Sequence, residues 1–497
     1  MRQALFSRDS KIALLIFLLL FSYYLLIMSG EQYSSPGFRS FQTARMLVGH
    51  GTVFFDPPLR WGADRWNTSI TGIGQALVYV PALVPLRFLR PELFAKDFFD
   101  PNLEYNMKYL VNDLYLYAAS WTMPLLSALA CVFLYLIARR RDMAVRYSVF
   151  ATLICGVASP FTPQTKWDMS QPTMTFCLLG ALWFVMRGLE RKGYGNWIGA
   201  GLLLAFGILN RLEMTLLLPF FVLLIIMPDI ITFRPEWRKR LVPTFLFLGA
   251  ASLGLVGYMF TNWIRFGSPL NSGYASSFFD GPTFLEGMSG FVYSPGEGML
   301  WYFPLFIPAL IGLWGMLRKK LTWAFAVGGM IFFFWFFYGG IFDDWGGGWS
   351  WGPRYLVPFV PLLSYLAVEW LSHQKIGWNW QTIFFTVLLV EGFIVTWNGI
   401  LFNHLAFFGN YFRLHPDNMW GPANNFVLEH SPLYAGWDFQ RKLHRLDLFW
   451  LYHLKQSRNI FSWLGFFALV GIFLASAVGL TRTLLIKQDT ELKQANT

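Results

Sequence analysis

Charge is what this 497-residue chain has least of: 13% of its residues are Asp, Glu, Lys or Arg, against about 25% in an average soluble domain. With 55% hydrophobic residues and a mean hydropathy of +0.43, that scarcity excludes a soluble globular protein and leaves a polytopic membrane protein. Cysteine is nearly absent. Cys131, Cys155 and Cys177 all lie inside apolar runs, so neither a disulfide framework nor a paired-cysteine metal site is expected. No HExxH pattern occurs, and no metal or cofactor is expected. Gly346-Gly347-Gly348 has no Lys-Ser/Thr after it and no strand before it, which excludes a nucleotide phosphate loop. There is no soluble domain, no low-complexity tract and no clear internal repeat.

The charges that are present are mostly basic, with 39 Lys and Arg against 28 Asp and Glu, a net +11. Basic loop ends facing the cytoplasm and anionic headgroups account for that excess, so no nucleic-acid partner is expected. Aromatic residues make up 19%. Bands of Trp and Tyr at the lipid boundary explain part of this, and platforms for sugar rings could explain another part.

Apolar runs able to cross a bilayer fall at 12–28, 109–138, 145–163, 172–187, 195–210, 214–231, 241–263, 300–317, 321–340, 355–372, 380–402 and 459–481. They predict an all-α membrane domain of about twelve spans over residues 1–497. The basic residues before 12–28 resemble a signal peptide, but the apolar part is long and no small-x-small cleavage site follows. A retained first span is expected, with a cytoplasmic N-terminus. A further apolar segment, 69–89, carries Gly72, Gly74, Pro81 and Pro85. Keeping it on the outer face makes the Arg139–Arg141 cluster, Arg187 to Lys192, Arg234 to Arg240 and Lys319-Lys320 all cytoplasmic. The long loops 29–108, 264–299, 341–354 and 403–458 are then outside. Phe38, Phe41, Ala44, Leu47 and Val48 recur at helical spacing and predict an amphipathic helix lying on the membrane. The tail from Lys487, within a cytoplasmic 482–497, reads as disordered.

The polar residues gather at the outer ends of spans. The first outer loop holds Glu31 and Asp56; Lys166 and Asp168 join the third and fourth spans; Arg211 lies between two apolar runs. Arg265 and Tyr274 follow the seventh, Asp343, Asp344 and Arg354 flank a Gly/Trp-rich loop expected to be flexible, and His404 ends the eleventh. A charge at mid-bilayer costs about 2.5–3.5 kcal/mol or more, so such residues tend to line a shared cavity. Guanidinium binds phosphate through paired hydrogen bonds, and a phosphate ester at a membrane boundary is most simply a lipid phosphate. Carboxylates beside it suit general-base work on a hydroxyl or the holding of sugar hydroxyls. Against this, an arginine at the end of a span snorkels to headgroups more often than it binds a ligand, and a buried His is more often structural than catalytic.

The set of motifs resembles the GT-C superfamily of membrane glycosyltransferases, in the bacterial branch related to protein mannosyltransferases and aminoarabinose transferases. The residues that carry the resemblance are Gly30-Glu31-Gln32-Tyr33 after the first span, Leu203 to Arg211 with Pro219, Asn262 to Tyr274, Ser294 to Trp301, and Trp345 to Leu356 with Pro358 and Pro361. The resemblance implies a GT-C fold and a polyprenyl-phosphate sugar donor. It implies inverting transfer to a hydroxyl of a glycan, glycolipid or protein acceptor, in cell-envelope synthesis at the outer face of a bacterial inner membrane. It implies Glu31 as general base, with Asp168 as a second catalytic acid. Asp56, Lys166, Arg211, Arg265, Tyr274, Asp343, Asp344, Arg354 and His404 would serve substrate binding. Two other functions fit the composition: a transporter or flippase of a lipid-linked or phosphorylated solute, and a ligase or polymerase using diphosphate-linked glycans. Transporters tend to carry mid-span polar groups and a two-fold repeat, and this chain shows neither pattern.

Overall fold

In lipid every backbone amide must find its partner within the chain, and a long apolar run does so as a helix. The computed structural model describes residues 2–29, 35–55, 59–61, 64–94, 120–166, 169–191, 193–227, 235–274, 284–342, 345–348, 350–404, 407–408, 425–434, 446–456 and 459–495. Among the described residues, eight helices are long and apolar enough to cross a membrane: Arg8–Ile27, Thr122–Arg140, Gln171–Glu190, Arg238–Phe266, Thr322–Gly340, Arg354–Ser372, Trp380–Leu401 and Ile460–Leu485. Shorter apolar helices at Val145–Val157, Gly195–Asn210, Leu212–Ile226 and Phe306–Arg318 fall on the other four expected spans, and Ile73–Leu89, named the outer helix for its expected side, falls on the segment 69–89. Two of these are shortened by proline. Pro160 stops the helix that starts at Val145, and Pro304 separates the turn Met299–Tyr302 from Phe306–Arg318, because proline disfavours helical geometry in the residue before it. The fold class is all-α, with one small departure: Leu59–Trp61 pairs antiparallel with Asp64–Trp66, Arg60 opposite Arg65.

Burial orders the helices. In the apolar stretch of Arg354–Ser372, 83% of residues are buried, against 11% in Ile460–Leu485, so the first is central and the second peripheral. Leu241–Phe266 lies tightly along Gly195–Asn210. A Cβ on Gly254 would sit 2.3 Å from the Ala205 carbonyl oxygen, the close backbone approach that small residues allow between membrane helices.

The basic helix ends meet at one end of the bundle. Arg139 Nε pairs with Asp9 Oδ1 at 3.2 Å, the Tyr135 hydroxyl donates to the same oxygen at 2.7 Å, and Arg140 pairs with Glu190. Arg141 stacks over Trp323 at 5.7 Å, and Arg8 Nη2 donates to the Thr483 carbonyl at 3.2 Å.

Two local expectations need correction. The helix predicted around 38–48 forms, as Ser35–His50, but it is not a surface helix with one wet face. Arg39, Gln42, Thr43 and Arg45 are buried along with Phe38, Phe41, Ala44 and Val48. Inside, Arg45 Nε donates to Gln42 Oε1 at 3.1 Å, and the Thr43 hydroxyl to the Arg39 carbonyl at 2.8 Å. The tail expected to be disordered continues the last helix to Ala495. Beyond Gly479 it has neither Gly nor Pro and is rich in Leu, Lys, Gln and Glu, which favour helix.

Candidate active site

At the other end of the bundle a cleft encloses about 320 Å³, open solvent at its mouth included. Its walls come from distant parts of the chain. Pro36, Gly37 and Ser40 belong to the first turns of Ser35–His50, and Thr71 and Gln75 to the start of the outer helix. Met169 and Ser170 precede Gln171–Glu190, Asn210 and Arg211 end Gly195–Asn210, and Arg354 opens a further span.

The local backbone explains why two arginines reach this cleft. The helix Gly195–Asn210 stops at Arg211, which is extended at φ −144° and ψ 119° before the short 3₁₀ turn Leu212–Leu217. That single extended residue turns the guanidinium off the helix axis. Arg354 is delivered by the Gly-rich loop. Gly347 and Gly348 adopt φ +74° and +63°, a left-handed conformation that costs glycine nothing. Two tryptophans of the loop pack into the bundle. Trp345 and Trp351 are both fully buried, packed edge-on against Phe291 at 5.7 Å and Tyr302 at 5.4 Å.

The outer helix closes one wall. A Cβ on Gly72 would lie 2.3 Å from the Asn210 carbonyl oxygen, and one on Gly74 2.5 Å from the Asn210 nitrogen; only glycine permits this seat. Gln75 fixes it. Its Oε1 accepts from Asn210 Nδ2 at 3.0 Å and from the Thr173 hydroxyl at 3.2 Å, while its Nε2 donates to the Met169 carbonyl at 3.4 Å. The Ser40 and Thr71 hydroxyls, 2.8 Å apart, join the outer helix to Ser35–His50.

The predicted site residues divide. Arg211 and Arg354 are brought together in the cleft. Arg211 Nε donates to the Ser170 hydroxyl at 3.0 Å. Arg354 Nη2 donates to the Tyr355 hydroxyl at 2.8 Å, and its Nη1 lies 3.8 Å from the Met169 sulfur. Tyr274 lies close to Arg211. Arg265 and Lys166 are placed differently from the ligand cations expected. Arg265 Nη1 donates to the carbonyls of Ser69 at 2.8 Å and Thr71 at 2.6 Å, and its Nη2 to Asn262 Oδ1 at 2.9 Å. It thus clamps the end of Leu241–Phe266 to the chain entering the outer helix. Lys166 is buried, with Nζ 2.6 Å from Asp447 Oδ2 and donating to the carbonyls of Ile400 at 2.7 Å and Asp447 at 2.9 Å. His404 is buried close to it. Burial, and then the Lys166 charge, hold His404 well below the usual histidine range. Glu31, Asp56, Asp168, Asp343 and Asp344 lie outside the described residues.

The sequence reading missed a second layer behind the arginines. The Tyr338 hydroxyl donates to Glu213, whose Oε1 lies 3.8 Å from Arg211 Nη1. Tyr338 also stacks on Tyr355, rings 3.8 Å apart and 7° from parallel. Glu213 and Tyr355 sit within two residues of the arginines and could have been found by that proximity. Tyr338 sits in an aromatic-rich span and carried no signal. Among the described residues no three His, Cys, Asp or Glu side chains come together as metal ligands do.

Residues 109–263 match the family model for dolichyl-phosphate-mannose-protein mannosyltransferases, and the resemblance to GT-C glycosyltransferases is borne out there. Among curated proteins none matches. Solved structures similar to this one include ArnT from Cupriavidus metallidurans bound to undecaprenyl phosphate, with 14% identity, a TM-score of 0.48, and coverage of 85% of this chain and 75% of that one. Another is the oligosaccharyltransferase of Archaeoglobus fulgidus tethered with an acceptor peptide, with 12% identity, a TM-score of 0.49, and coverage of 79% of this chain and 55% of that one.

Proposed function

We propose that the protein is an inverting glycosyltransferase that moves a sugar from a polyprenyl phosphate to an acceptor hydroxyl, at the outer face of a bacterial inner membrane. The observation that carries this reading is the cleft. It joins Arg211 and Arg354, far apart in sequence, to the first turns of Ser35–His50. Glu31 stands five positions before Pro36, and Asp168 one position before Met169. The two acids read as catalytic are therefore sequence neighbours of cleft residues.

In this reading the donor phosphate sits against Arg211 and Arg354. Glu31 takes the proton from the acceptor hydroxyl as its oxygen bonds to the anomeric carbon. The bond from that carbon to the phosphate oxygen breaks on the opposite face, and its electron pair leaves with the phosphate. Two fixed guanidinium groups stabilise that charge, so no general acid is required. One attack on one face inverts the anomeric configuration, unlike the two-carboxylate, two-step route of retaining enzymes. The acceptor is a glycan, glycolipid or protein hydroxyl.

The test is Glu31→Gln in reconstituted membranes supplied with polyprenyl-phosphate sugar. Loss of transfer by at least about a hundredfold, the scale of a missing general base, with unchanged thermal unfolding supports the assignment. Transfer at the wild-type rate sinks it.

A further inference from the structure

Glu213 sits behind Arg211 with two claims on one carboxylate oxygen. Tyr338 donates a hydrogen bond to Oε1. Arg211 Nη1 stands 3.8 Å from the same atom, beyond hydrogen-bond range though well within Coulomb attraction. A carboxylate and a guanidinium this close ordinarily collapse into a paired, two-bond contact. Here they have not. The Tyr338 hydroxyl draws the nearer oxygen toward itself, and Arg211 Nε is turned to Ser170 at 3.0 Å. Tyr338 is in turn fixed by its parallel stack on Tyr355, the residue whose hydroxyl receives Arg354 Nη2 at 2.8 Å. One aromatic pair thus bears on both cleft arginines.

We propose that Tyr338 is a positioning residue that holds Glu213 off Arg211, keeping a guanidinium edge open for the anion that the cleft binds. Glu213 orients Arg211 from a distance without filling its place. Remove the Tyr338 hydroxyl, and the carboxylate closes on Arg211 and becomes an internal competitor for the phosphate. This rests on the reading of the cleft as a lipid-phosphate site.

The consequence is an unusual pattern of rescue. Tyr338→Phe keeps the ring and its stack and deletes one oxygen. Binding of a polyprenyl monophosphate to the purified protein in detergent micelles weakens about tenfold, the scale of one charge-assisted contact. Glu213→Gln has no charge with which to compete, and binds at least as tightly as wild type. The double variant Tyr338→Phe/Glu213→Gln returns to within about twofold of wild type, because the competitor is gone. A merely structural role for Tyr338 would instead weaken polyprenol binding in Tyr338→Phe in step with phosphate binding, because it does not act through the charge. The matching polyprenol, lacking the phosphate, binds equally to all four proteins and reports that each is folded. Tyr338→Phe binding the phosphate like wild type, or a double variant as weak as Tyr338→Phe, overturns the positioning role. Wild type that binds the alcohol as tightly as the phosphate overturns the phosphate site and this inference with it.

Discussion

Four cations near the cleft looked alike in sequence, and the structure sorts them into two pairs. Lys166 and Arg265 direct their donors to backbone carbonyls, of Ile400 and Asp447 in one case and of Ser69 and Thr71 in the other. Arg211 and Arg354 instead meet a serine hydroxyl, a tyrosine hydroxyl and a thioether. The difference is physical. Carbonyl dipoles, and for Lys166 a contacting carboxylate, stabilise a cation where it stands and tie distant segments together. Hydroxyl and thioether partners fix the orientation of the second pair, and Glu213 stands 3.8 Å from Arg211 without a hydrogen bond to it. We read the first pair as anchors and propose that the second pair face a ligand.

The largest effect tests the anchor side. Lys166→Met leaves the Asp447 carboxylate buried without its cation, and breaking a buried pair this way costs about 3–5 kcal/mol. Replacing both partners, Lys166→Met with Asp447→Leu, recovers most of that loss. Thermal unfolding in detergent measures both. A single variant as stable as wild type would mean that Lys166 is no anchor and belongs with the ligand cations after all.

On the other side the effect is on catalysis. Arg354→Gln lowers kcat for transfer from a polyprenyl-phosphate donor about 10²–10³-fold, as does removal of a fixed charge stabiliser elsewhere. Its hydrogen bond to Tyr355, made by a charged donor, is worth about 1.5–3 kcal/mol of stability. A variant that loses stability but keeps its rate would put Arg354 among the anchors and erase the distinction.

Much of the architecture was legible from hydropathy alone, because apolar runs in lipid have helix as their answer. Where their residues are described, the apolar runs and the segment 69–89 fall on helices, and the basic ends of Thr122–Arg140 and Gln171–Glu190 meet. What escaped were features set by contact between remote segments. Nothing in the pattern around Arg39 to Arg45 marks that helix as buried on both faces, since its polar residues alternate as they would in water. Nothing local distinguishes Arg265 from Arg211 either; the difference is whether a foreign carbonyl arrives. Asn210 to Glu213 was noticed as a polar break between spans, but the tyrosine controlling it lies 125 residues on. The Gly-rich loop read as flexible because glycine content is local, whereas the burial of Trp345 and Trp351 against Phe291 and Tyr302 depends on remote segments.

The smallest effect probes the anchor region by pH. His404 is buried near the Lys166 cation, and both influences keep it neutral well below the usual histidine range. Below a pH of about 6.5 the unfolded chain takes up a proton at this position that the folded chain refuses. The unfolded state then binds more protons, so stability falls as the pH falls, by about 1.4 kcal/mol at pH 5.5 relative to neutral pH. Above pH 7.5 the contribution vanishes. The cleft arginines stay charged throughout and contribute no such slope. In His404→Phe the difference between unfolding midpoints at pH 7.5 and pH 5.5 shrinks by the corresponding amount, whatever the absolute stability of the variant. An undiminished slope would show that the acid sensitivity arises elsewhere, and that the Lys166 anchor does not impose its charge on the residue packed beside it.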